Sequence, residues 1–405
     1  MHILIINHYA GSPYHGMEYR PYYLAKEWEK LGHTTTIVAA TQSHIRTKNP
    51  HNKLKVTDEN INGIKYVWVK TRDYSGNGIG RVLNMLDFLK GVRAIISVLA
   101  NEKPDAVIAS STYPLDNYLA WKIAKKSGAK YVYEVHDLWP LSPMEIGGYS
   151  KFHPFIIAMQ WAEDFAYARV DKVISILPHA EEYMIKHGLK SEKFVHIPNG
   201  VSVDEFSDME QLDEKIKSQI PHDKFIVGYT GTFGPANSLD TLLEAAAIIQ
   251  ERNDDIFFVL IGGGSEMENL IKIRKKLALA NTVILDKIPK RQVQNALSLF
   301  TISIIAWKNK PSLYHFGVSP NKIFEYMYAG KPIIQAIQAG NDLVHDAACG
   351  LTITPQNPWA MADAIVELYN MSKEKHEEMG RNAKQYVLKN HTYEYLSIKF
   401  IDSLR

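Results

Sequence analysis

The sequence contains very little cysteine, since Cys349 is the only one among 405 residues. A single cysteine excludes an internal disulfide and any cysteine-rich metal site, so we expect a buried packing residue in a cytosolic protein. Neither sign of charge is in large excess, because 46 basic and 44 acidic residues leave a formal net charge of only +2. A chain without a positive excess is not expected to bind nucleic acid.

Several motifs are missing as well. The amino terminus lacks the basic start and the cleavage region of a signal peptide, because an apolar strand pattern begins at once with His2. The loop after this strand contains no G-x-G-x-x-G motif, which argues against a dinucleotide dehydrogenase. No Asp-x-Asp triplet lies near a predicted strand end, and the histidines lack zinc-ligand spacing. We therefore predict a cytoplasmic protein without a metal or a cofactor.

Short apolar or β-branched runs alternate with helical patterns throughout the chain. Leu24, Trp28 and Leu31, for example, share one face of a helix that Gly32 ends. This alternation is typical of βαβ units and of a parallel sheet. Strands are predicted at residues 2–6, 35–39, 64–69, 105–109, 130–135, 172–176 and 193–197, and again at 225–229, 256–261, 282–285, 301–306, 332–335 and 351–353.

The pattern is interrupted once, after the sequence Ile-Pro-Asn-Gly at residues 197–200, where a polar stretch indicates a linker. A chain of 405 residues exceeds what one core comfortably supports. We therefore predict an α/β protein of two Rossmann-like, doubly wound parallel-sheet domains, residues 1–198 and 199–387. Open α/β sheets bind ligands at the carboxyl ends of their strands, so the predicted active site is a cleft between the two domains.

The most informative segment is residues 319–332, which predicts a phosphate site at a helix start. A serine cap followed by Pro320 leaves the amides of Asn321 and Lys322 free to bind phosphate. Glu325 lies one turn further, where its carboxylate can accept both hydroxyls of a ribose while the lysine holds a diphosphate. This pattern indicates a nucleotide-sugar site, although an ordinary capped helix ending at Gly330 has the same signature.

Five segments carry a resemblance to a known family in their order and spacing. They are residues 1–16, 31–33, 135–137, 197–201 and 324–332. With them, nearly the whole chain resembles the retaining glycosyltransferases of family 4 (glycosyl transferases group 1), which have the GT-B fold. Residues 15–21 with 137–140 are similar to the bacterial O-antigen and capsule branch, which includes acetamido-deoxyhexose (fucosamine-type) transferases. The resemblance also implies that the last helix, residues 388–405, crosses back onto the first domain.

The resemblance implies a donor site mainly in the second domain. The glutamate matching Glu325 holds the ribose, the backbone of Asn321 and Lys322 meets the phosphates, and the main chain of Ile288 reads a uracil-like base. The leaving diphosphate itself takes the acceptor proton in a front-face reaction, so neither a carboxylate nucleophile nor a metal is expected. The donor-binding residues assigned in this way are Gly16, Arg20, Gly231, Thr232, Gly262, Gly264, Ile288, Pro320, Asn321, Lys322 and Glu325.

The sequence departs from the family pattern at two places on the donor side. Gly317 stands where many members have a second glutamate, eight positions before Glu325. The loop at residues 231–237 contains neither the arginine nor the lysine that many members place there. The missing positive charge is expected from Lys322, or from Arg20 reaching across from the first domain, although an ordinary solvated arginine is an open alternative.

In the first domain, His136 follows a largely apolar strand and so lies at its carboxyl end. The resemblance implies that it donates a hydrogen bond to a hydroxyl of the transferred sugar, which makes it a catalytic candidate with Lys322 and Glu325. Asp137 and Trp139 are expected on the acceptor side, unless the tryptophan is simply a core residue. Glu18 is expected either to pair with Arg20 or to contact the acceptor.

Residues 81–100 predict one apolar helix that is interrupted by Asp87, Lys90 and Arg93. These charges disfavour a transmembrane helix. Packing against the sheet is the default interpretation. The alternative is an interfacial surface in which Arg81, Lys90 and Arg93 meet lipid phosphates on the cytoplasmic face of the inner membrane.

We therefore predict a retaining, metal-independent glycosyltransferase of bacterial O-antigen or capsule biosynthesis. It would transfer an N-acetylated amino or deoxyamino sugar from a UDP-sugar to a polyprenyl-diphosphate-linked saccharide. Two alternatives remain open from the sequence: a UDP-sugar 2-epimerase with the GT-B fold, and a non-catalytic sugar-nucleotide binding protein.

Overall fold

The strands of the protein form two sheets in the computed structural model, which describes residues 1–51, 54–76, 78–207 and 209–405. The strands are β1 His2–Ile6, β2 Thr34–Ala40, β3 Val56–Ile61, β4 Ile64–Val69, β5 Ala106–Ala109, β6 Lys130–Val135, β7 Lys172–Ser175, β8 Phe194–His196, β9 Phe225–Thr232, β10 Ile256–Gly263, β11 Thr282–Asp286, β12 Ile302–Ala306, β13 Ile333–Ala336 and β14 Gly350–Ile353. Each predicted strand is therefore present, and the largest difference is at β9, which extends to Thr232.

Helices connect most of the strands. The α-helices are α1 Arg20–Lys30, α2 Ile79–Ala94, α3 Ile96–Asn101, α4 Asn117–Ser127, α5 Leu141–Gly147, α6 Pro154–Tyr167, α7 Glu181–Lys186, α8 Glu214–Lys217, α9 Leu239–Gln250, α10 Met267–Lys276, α11 Val293–Ser298, α12 Pro311–Tyr314, α13 Asn321–Ala329, α14 Leu343–Asp346, α15 Pro358–Tyr369, α16 Lys373–Asn390 and α17 Tyr393–Leu404. Short 3₁₀ turns cover Pro114–Asp116, Ser191–Lys193, Val203–Ser207, Pro235–Asn237 and Lys290–Gln292.

The chain divides into two compact units, the first formed by residues 1–199 with 393–405 and the second by residues 200–392. Helix α17 belongs to the first unit, where the ring of Phe400 packs edge-on against Trp28 with centroids 5.1 Å apart. The indole of Trp28 also donates to the carbonyl of Ser397 at 3.3 Å. The last helix is shorter than the predicted 388–405, because residues 388–390 still belong to α16.

The sheet of the first unit has the order β3-β4-β2-β1-β5-β6-β7-β8. Its strands pair in parallel, except that β3 runs antiparallel to β4 at one edge. Strand β3 was not predicted, because four of its six side chains are polar and three of these are exposed, as an edge position allows. The central strands are apolar because both of their faces are covered, and Ile3 to Ile6 of β1 are at most 2% exposed.

The sheet of the second unit has the order β11-β10-β9-β12-β13-β14, and its strands pair in parallel. Leu242 and Leu243 of α9 pack in the core on one side, and Phe324 and Met327 of α13 pack in a second apolar cluster. The doubly wound α/β prediction is confirmed for this unit and the first. Since all strands point the same way, the loops after β9, β10, β11, β12 and β13 gather at one edge.

The predicted apolar helix at 81–100 consists of two helices, because the backbone of Ile95 breaks the helix between α2 and α3. Met85, Phe88 and Val92 of α2 are buried, so one face packs into the first unit as the default interpretation expected. The guanidinium of Arg81 donates to the hydroxyl of Tyr9 at 3.1 Å, and its contact with lipid phosphate in the alternative interpretation stays a prediction. Among the described residues, no helix combines the length and the apolar character needed to cross a bilayer.

Candidate active site

The segment that dominated the sequence analysis forms helix α13 at the carboxyl edge of the second sheet. The helix begins at Asn321, one residue later than predicted, because Pro320 has an extended backbone with ψ 130° and is itself the N-cap. Ser319, the predicted cap, is buried before the helix. The amides of Asn321 and Lys322 are still the first two of the helix, where the helix itself offers no acceptor. The predicted end at Gly330, in the left-handed conformation, is confirmed.

Lys322 projects from this helix toward the loop that follows β9. Its ammonium donates to Asn237 Oδ1 at 2.6 Å and to the Tyr229 hydroxyl at 2.8 Å, and it lies 4.7 Å from the centroid of the Tyr229 ring. Burial lowers the pKa of Lys322 to about 7, although the Glu325 carboxylate opposes this effect. The side chain therefore lies at the loop that lacks a cation of its own, and near pH 7 it is present in both charge states.

Glu325 forms an ion pair with Lys290, which the sequence analysis did not identify. The two side chains are 17% and 30% exposed, so the pair is reachable from solvent. Lys290 opens the 3₁₀ turn that follows the predicted base-binding residue Ile288, whose own side chain packs against the core of the second unit. The only signal in the sequence was the position of Lys290, two residues beyond Ile288, the residue assigned to the base.

The glycines of the second unit allow its loops to pack closely on one another. A Cβ atom on Gly262 would lie 1.9 Å from the carbonyl oxygen of Gly231, and one on Gly264 would lie 2.4 Å from that of Phe233. Gly231 has φ +147°, and a Cβ atom there would approach the Lys322 ammonium to 3.4 Å. Thr232 is exposed beside them. These glycines therefore have a packing role, and their contact with a donor stays a prediction.

In the first unit, residues from three neighbouring parallel strands meet at the carboxyl edge of the sheet. Asn7 follows β1 and donates from Nδ2 to the carbonyl of Ser110, which follows β5, at 2.8 Å. Ser110 in turn donates to the Glu134 carboxylate of β6 at 2.6 Å. His136, directly after β6, is in contact with both of the latter residues. The histidine is thus part of a connected polar cluster at the edge where α/β sheets bind ligands.

His136 is 14% exposed and is held through one ring nitrogen. Its Nε2 atom lies 3.0 Å from Ser110 Oγ and 3.3 Å from Glu134 Oε2. Burial alone would lower the pKa of His136, but the charge and the hydrogen bond of Glu134 outweigh it and raise the pKa, with a further contribution from Glu18. The ring is therefore protonated more readily than an ordinary histidine.

Arg20 does not have the role assigned to it. Its side chain is fully buried, with Nε donating to Glu134 Oε1 at 2.9 Å and Nη1 donating to the Pro198 carbonyl at 2.6 Å. Nη1 also reaches Asn199 Oδ1 at 3.2 Å, and Nη2 donates to the Ile197 carbonyl at 3.0 Å. Because acceptors of the first unit bind all three nitrogens of this buried guanidinium, Arg20 is not the missing diphosphate cation. Its carboxylate partner is Glu134, so of the two roles left open for Glu18 the contact with the acceptor stays a prediction.

The acceptor-side candidates are tied into the loop that follows β6. Asp137 accepts from the Leu138 amide at 3.1 Å and from the Ser142 hydroxyl at 2.6 Å, and burial raises the pKa of its carboxyl to about 6. The ring of Trp139 packs at 6.1 Å from that of Phe155 and is partly buried. Both residues thus shape this loop, and their contact with an acceptor stays a prediction.

Gly16 closes the loop after β1 in the first unit. It forms bridges to Ser12 and Arg46 and has φ +94°, a conformation that favours glycine. A Cβ atom there would lie 2.8 Å from Thr47 Oγ1, so the position is restricted by its own neighbours. This is a structural reason for glycine that is independent of a diphosphate.

Among the described residues, one group has the geometry of a metal site, formed by Glu163, Asp164 and His187 of the first unit. It contains none of the predicted site residues. Glu163 accepts hydrogen bonds from the hydroxyls of Tyr167 and Tyr183, both at 2.9 Å, and burial raises the pKa of its carboxyl to about 8. A carboxyl that is protonated at neutral pH is a poor cation ligand, and we assign no metal to this group.

Comparison with known proteins agrees with this geometry. Two doubly wound parallel-sheet units with a charged helix start in the second define the GT-B class of glycosyltransferases. Residues 15–200 match the family model described as "Glycosyl transferase 4-like domain", and residues 210–386 match "Glycosyl transferases group 1". The chain therefore belongs to the GT-B glycosyltransferases of family 4.

Individual relatives are distant. The alpha-D-kanosaminyltransferase of Streptomyces kanamyceticus is 24% identical over 310 residues, which cover 75% of this chain and 76% of that protein. A putative teichuronic acid biosynthesis glycosyltransferase of Bacillus subtilis, TuaH, is 25% identical over 50% of this chain and 49% of its own length. The solved structure of HepE from Anabaena, in complex with UDP and glucose, has a TM-score of 0.68 at 16% identity and covers 99% of this chain and 98% of HepE.

Proposed function

We propose that this glycosyltransferase transfers a sugar with retention of configuration from a UDP-sugar to a lipid-linked saccharide of a bacterial surface polysaccharide. The observation that carries the proposal is the start of α13, where two helix amides and Lys322 lie beside the loop at residues 231–237 and Glu325 pairs with Lys290 one turn further along the helix. Two relatives support the donor and the pathway, since HepE was solved with UDP and TuaH is described as a teichuronic acid enzyme.

On the donor side, the diphosphate binds the amides of Asn321 and Lys322 and takes over the lysine ammonium from its present partners, Asn237 and Tyr229. The arriving negative charge restores the pKa of the lysine toward its ordinary value, because a nearby anion favours the ammonium form. The ribose hydroxyls take the place of Lys290 at the carboxylate of Glu325. Main-chain atoms of Ile288 read the uracil edge.

In the transition state, negative charge develops on the departing diphosphate while the sugar becomes cationic. The helix start and Lys322 stabilise this charge, since they are fixed dipoles and a cation aimed at the leaving group. The diphosphate takes the acceptor proton on the same face, so the reaction uses neither a metal nor a covalent enzyme intermediate. His136 donates a hydrogen bond to a hydroxyl of the transferred sugar, while Glu18, Asp137 and Trp139 contact the acceptor.

The lipid-linked acceptor gives a role to the outer face of α2. Ile79, Leu83 and Leu86 are exposed on the same helical face as Lys90 and Arg93. The acidic Asp87 is paired with Arg72 through contacts of 2.6 and 2.9 Å, so it adds little free negative charge to this surface. Apolar side chains beside basic ones suit the boundary of an anionic membrane, where we place this face at the cytoplasmic side.

The experiment that tests the proposal is a donor screen followed by product analysis. Thermal shift and calorimetry with a panel of sugar nucleotides should select one base, and we expect uridine. The selected donor, incubated with a polyprenyl-diphosphate saccharide and excess chelator, should give a product whose anomeric configuration by NMR equals that of the donor. An inverted product, activity lost with the metal, or an isomerised donor in the absence of acceptor would each contradict the proposal.

A further inference from the structure

Glu134 is an ionisable residue in the interior of the first sheet. It lies in strand β6, is 2% exposed, and stands between the buried residues Tyr133 and Val135. A buried carboxylate is costly unless several donors compensate its charge. Glu134 has three partners, namely Arg20 Nε at 2.9 Å, Ser110 Oγ at 2.6 Å and His136 Nε2 at 3.3 Å. The carboxylate is thus fully engaged, and one of its partners is the candidate catalytic histidine.

The position of Glu134 in the strand explains this contact. Residues two apart in an extended chain project to the same side, so Glu134 and His136 face one another without any further turn. Ser110, at the end of neighbouring strand β5, closes the arrangement by contacting both side chains. Both contacts of the ring, with Ser110 and with Glu134, are made by Nε2. The other ring nitrogen, Nδ1, is therefore left to the substrate side of the histidine.

We propose that Glu134 is a positioning residue for glycosyl transfer, which holds the Nε2 side of the His136 ring, through the ion pair and through the hydroxyl of Ser110, and so presents Nδ1 to the transferred sugar. The inference rests on the proposed function, in which His136 contacts the sugar. Arg20 affects the histidine only through Glu134, because its guanidinium binds Oε1 of the same carboxylate. The arginine expected at the diphosphate thereby acquires an indirect role.

The electrostatics of the cluster support an ionised Glu134. Burial would raise the pKa of its carboxyl, but Arg20 and His136 together hold it well below its usual range. For His136, burial lowers the pKa, and Glu134 and Glu18 raise it, while Arg20 lowers it. The charge of the same ring also lowers the pKa of the neighbouring Asp137, although burial has the larger, opposite effect. The net result is an imidazolium that can donate from Nδ1 while Nε2 is held.

A purely structural role for Glu134 would leave the orientation of the histidine ring and the rate of transfer unaffected. In that case the carboxylate would serve only as the counter-ion that lets Arg20 bind the carbonyls of Ile197 and Pro198. Replacing Glu134 would then change stability and, through the loss of a neighbouring charge, the pKa of His136, but neither the tautomer of the neutral ring nor kcat. The two roles are therefore separated by the tautomer of the His136 ring and by turnover.

The first measurement is an NMR titration of the His136 ring in the full-length protein, with the signal assigned through His136→Gln. We expect a pKa above 6.5 in the wild type and a protonated Nε2 in the neutral form. In Glu134→Gln the pKa should fall below the wild-type value. Glu163→Gln, a matched change at another fully buried glutamate of the same unit, should leave it unchanged. A wild-type pKa at or below 6.5 would overturn the proposal, and this result does not depend on any variant folding.

The second measurement is turnover. Glu134→Gln should lower kcat by about 10²-fold, as expected when a group that hydrogen-bonds the reacting sugar loses its orientation, and should shift the limb of the pH profile that belongs to His136. The dissociation constant of UDP should change less than about twofold, because the residues that bind it are in the other unit. Glu134→Asp, which keeps the charge, should recover part of the activity. Unchanged kcat and pH profile in Glu134→Gln would overturn the proposal.

A control separates this inference from the proposed function. If His136→Gln retains full activity, the role of the histidine in the proposed function fails. If that variant is inactive while Glu134→Gln keeps both the wild-type kcat and the wild-type tautomer of the neutral histidine ring, only the positioning role of Glu134 fails. The two failures are therefore distinguishable.

Discussion

The two units use the same kinds of charged side chains in opposite ways. In the first unit, Arg20, Glu134 and His136 neutralise one another inside the sheet edge, and the arginine and the glutamate are almost fully buried. In the second unit, Lys322 and Glu325 are partly exposed and are held by loop residues that the donor replaces in the proposed function. The comparison teaches that a buried charge with fixed partners orients a site, whereas an exchangeable partner marks the place where a ligand binds.

The largest effect should follow from removing the exchangeable cation. Lys322→Met should lower kcat/KM by about 10³-fold, because the leaving diphosphate loses its charged donor. Lys331→Met, a change at a half-buried lysine just beyond the other end of α13, is the matched control and should retain activity. Steady-state kinetics with the preferred donor measures both. Equal losses in the two variants would break the comparison.

Glu325→Gln should weaken UDP binding by about 30-fold, since hydrogen bonds to a charged group contribute about 2 kcal/mol. The assignment to ribose is tested by pairing the variant with 2′-deoxy-UDP in calorimetry. The wild type should discriminate between the two nucleotides, and the variant should bind them with similar affinity. If the variant still prefers UDP as strongly as the wild type does, Glu325 does not hold the ribose.

UDP binding should depend on pH, because the diphosphate replaces Asn237 and Tyr229 as the partner of the Lys322 ammonium. Its pKa is about 7 in the free protein and rises when the diphosphate binds, so the affinity is fully present below pH 7 and is lost as the pH rises. The loss should reach about tenfold per pH unit until the pKa of the complex is passed. Calorimetry in two buffers of different ionisation enthalpy should detect proton uptake above pH 7.

Lys322→Arg should abolish this proton uptake, because an arginine stays charged throughout the range. Proton uptake that persists in the arginine variant would assign the effect to another group. An affinity that is constant between pH 7 and 9 in the wild type would show that the diphosphate does not bind at this lysine.

The smallest expected effect concerns the surface of the first unit, and it sharpens the contrast with the second. Lys90→Glu with Arg93→Glu should reduce flotation with anionic vesicles severalfold, since each basic residue near such a surface contributes about 1 kcal/mol. Lys272→Glu with Lys275→Glu, an equal change of charge on α10 of the second unit, is the control. Unchanged recovery in the first pair, or an equal loss in both pairs, would reject α2 as the membrane face.

The sequence predicted the features that depend on local pattern. The parallel sheets followed from alternating apolar runs, and Lys322 and Glu325 were found because a helix start has a recognisable composition. The structure changed the local details where two interpretations were close, as at Pro320, whose φ suits both the cap and the first helical position. Polar strand β3 and the helix break at Ile95 likewise have no strong local signal.

The partners of the charged residues could not be predicted, because they are distant in the chain. Arg20 and Glu134 are 114 positions apart, and Lys290 and Glu325 are 35 apart. An arginine in an amphipathic helix normally faces solvent, so its complete burial depends on a carboxylate that only the folded sheet brings close. The one available signal was Glu134 itself, a charged residue in an otherwise apolar part of its strand.

A crystal structure of the complex with UDP tests the central claim most directly. We expect the diphosphate within hydrogen-bonding distance of the amides of Asn321 and Lys322, and the ribose hydroxyls at the carboxylate of Glu325, with Lys290 displaced. A nucleotide bound elsewhere, with the Lys290–Glu325 pair intact, would contradict the account.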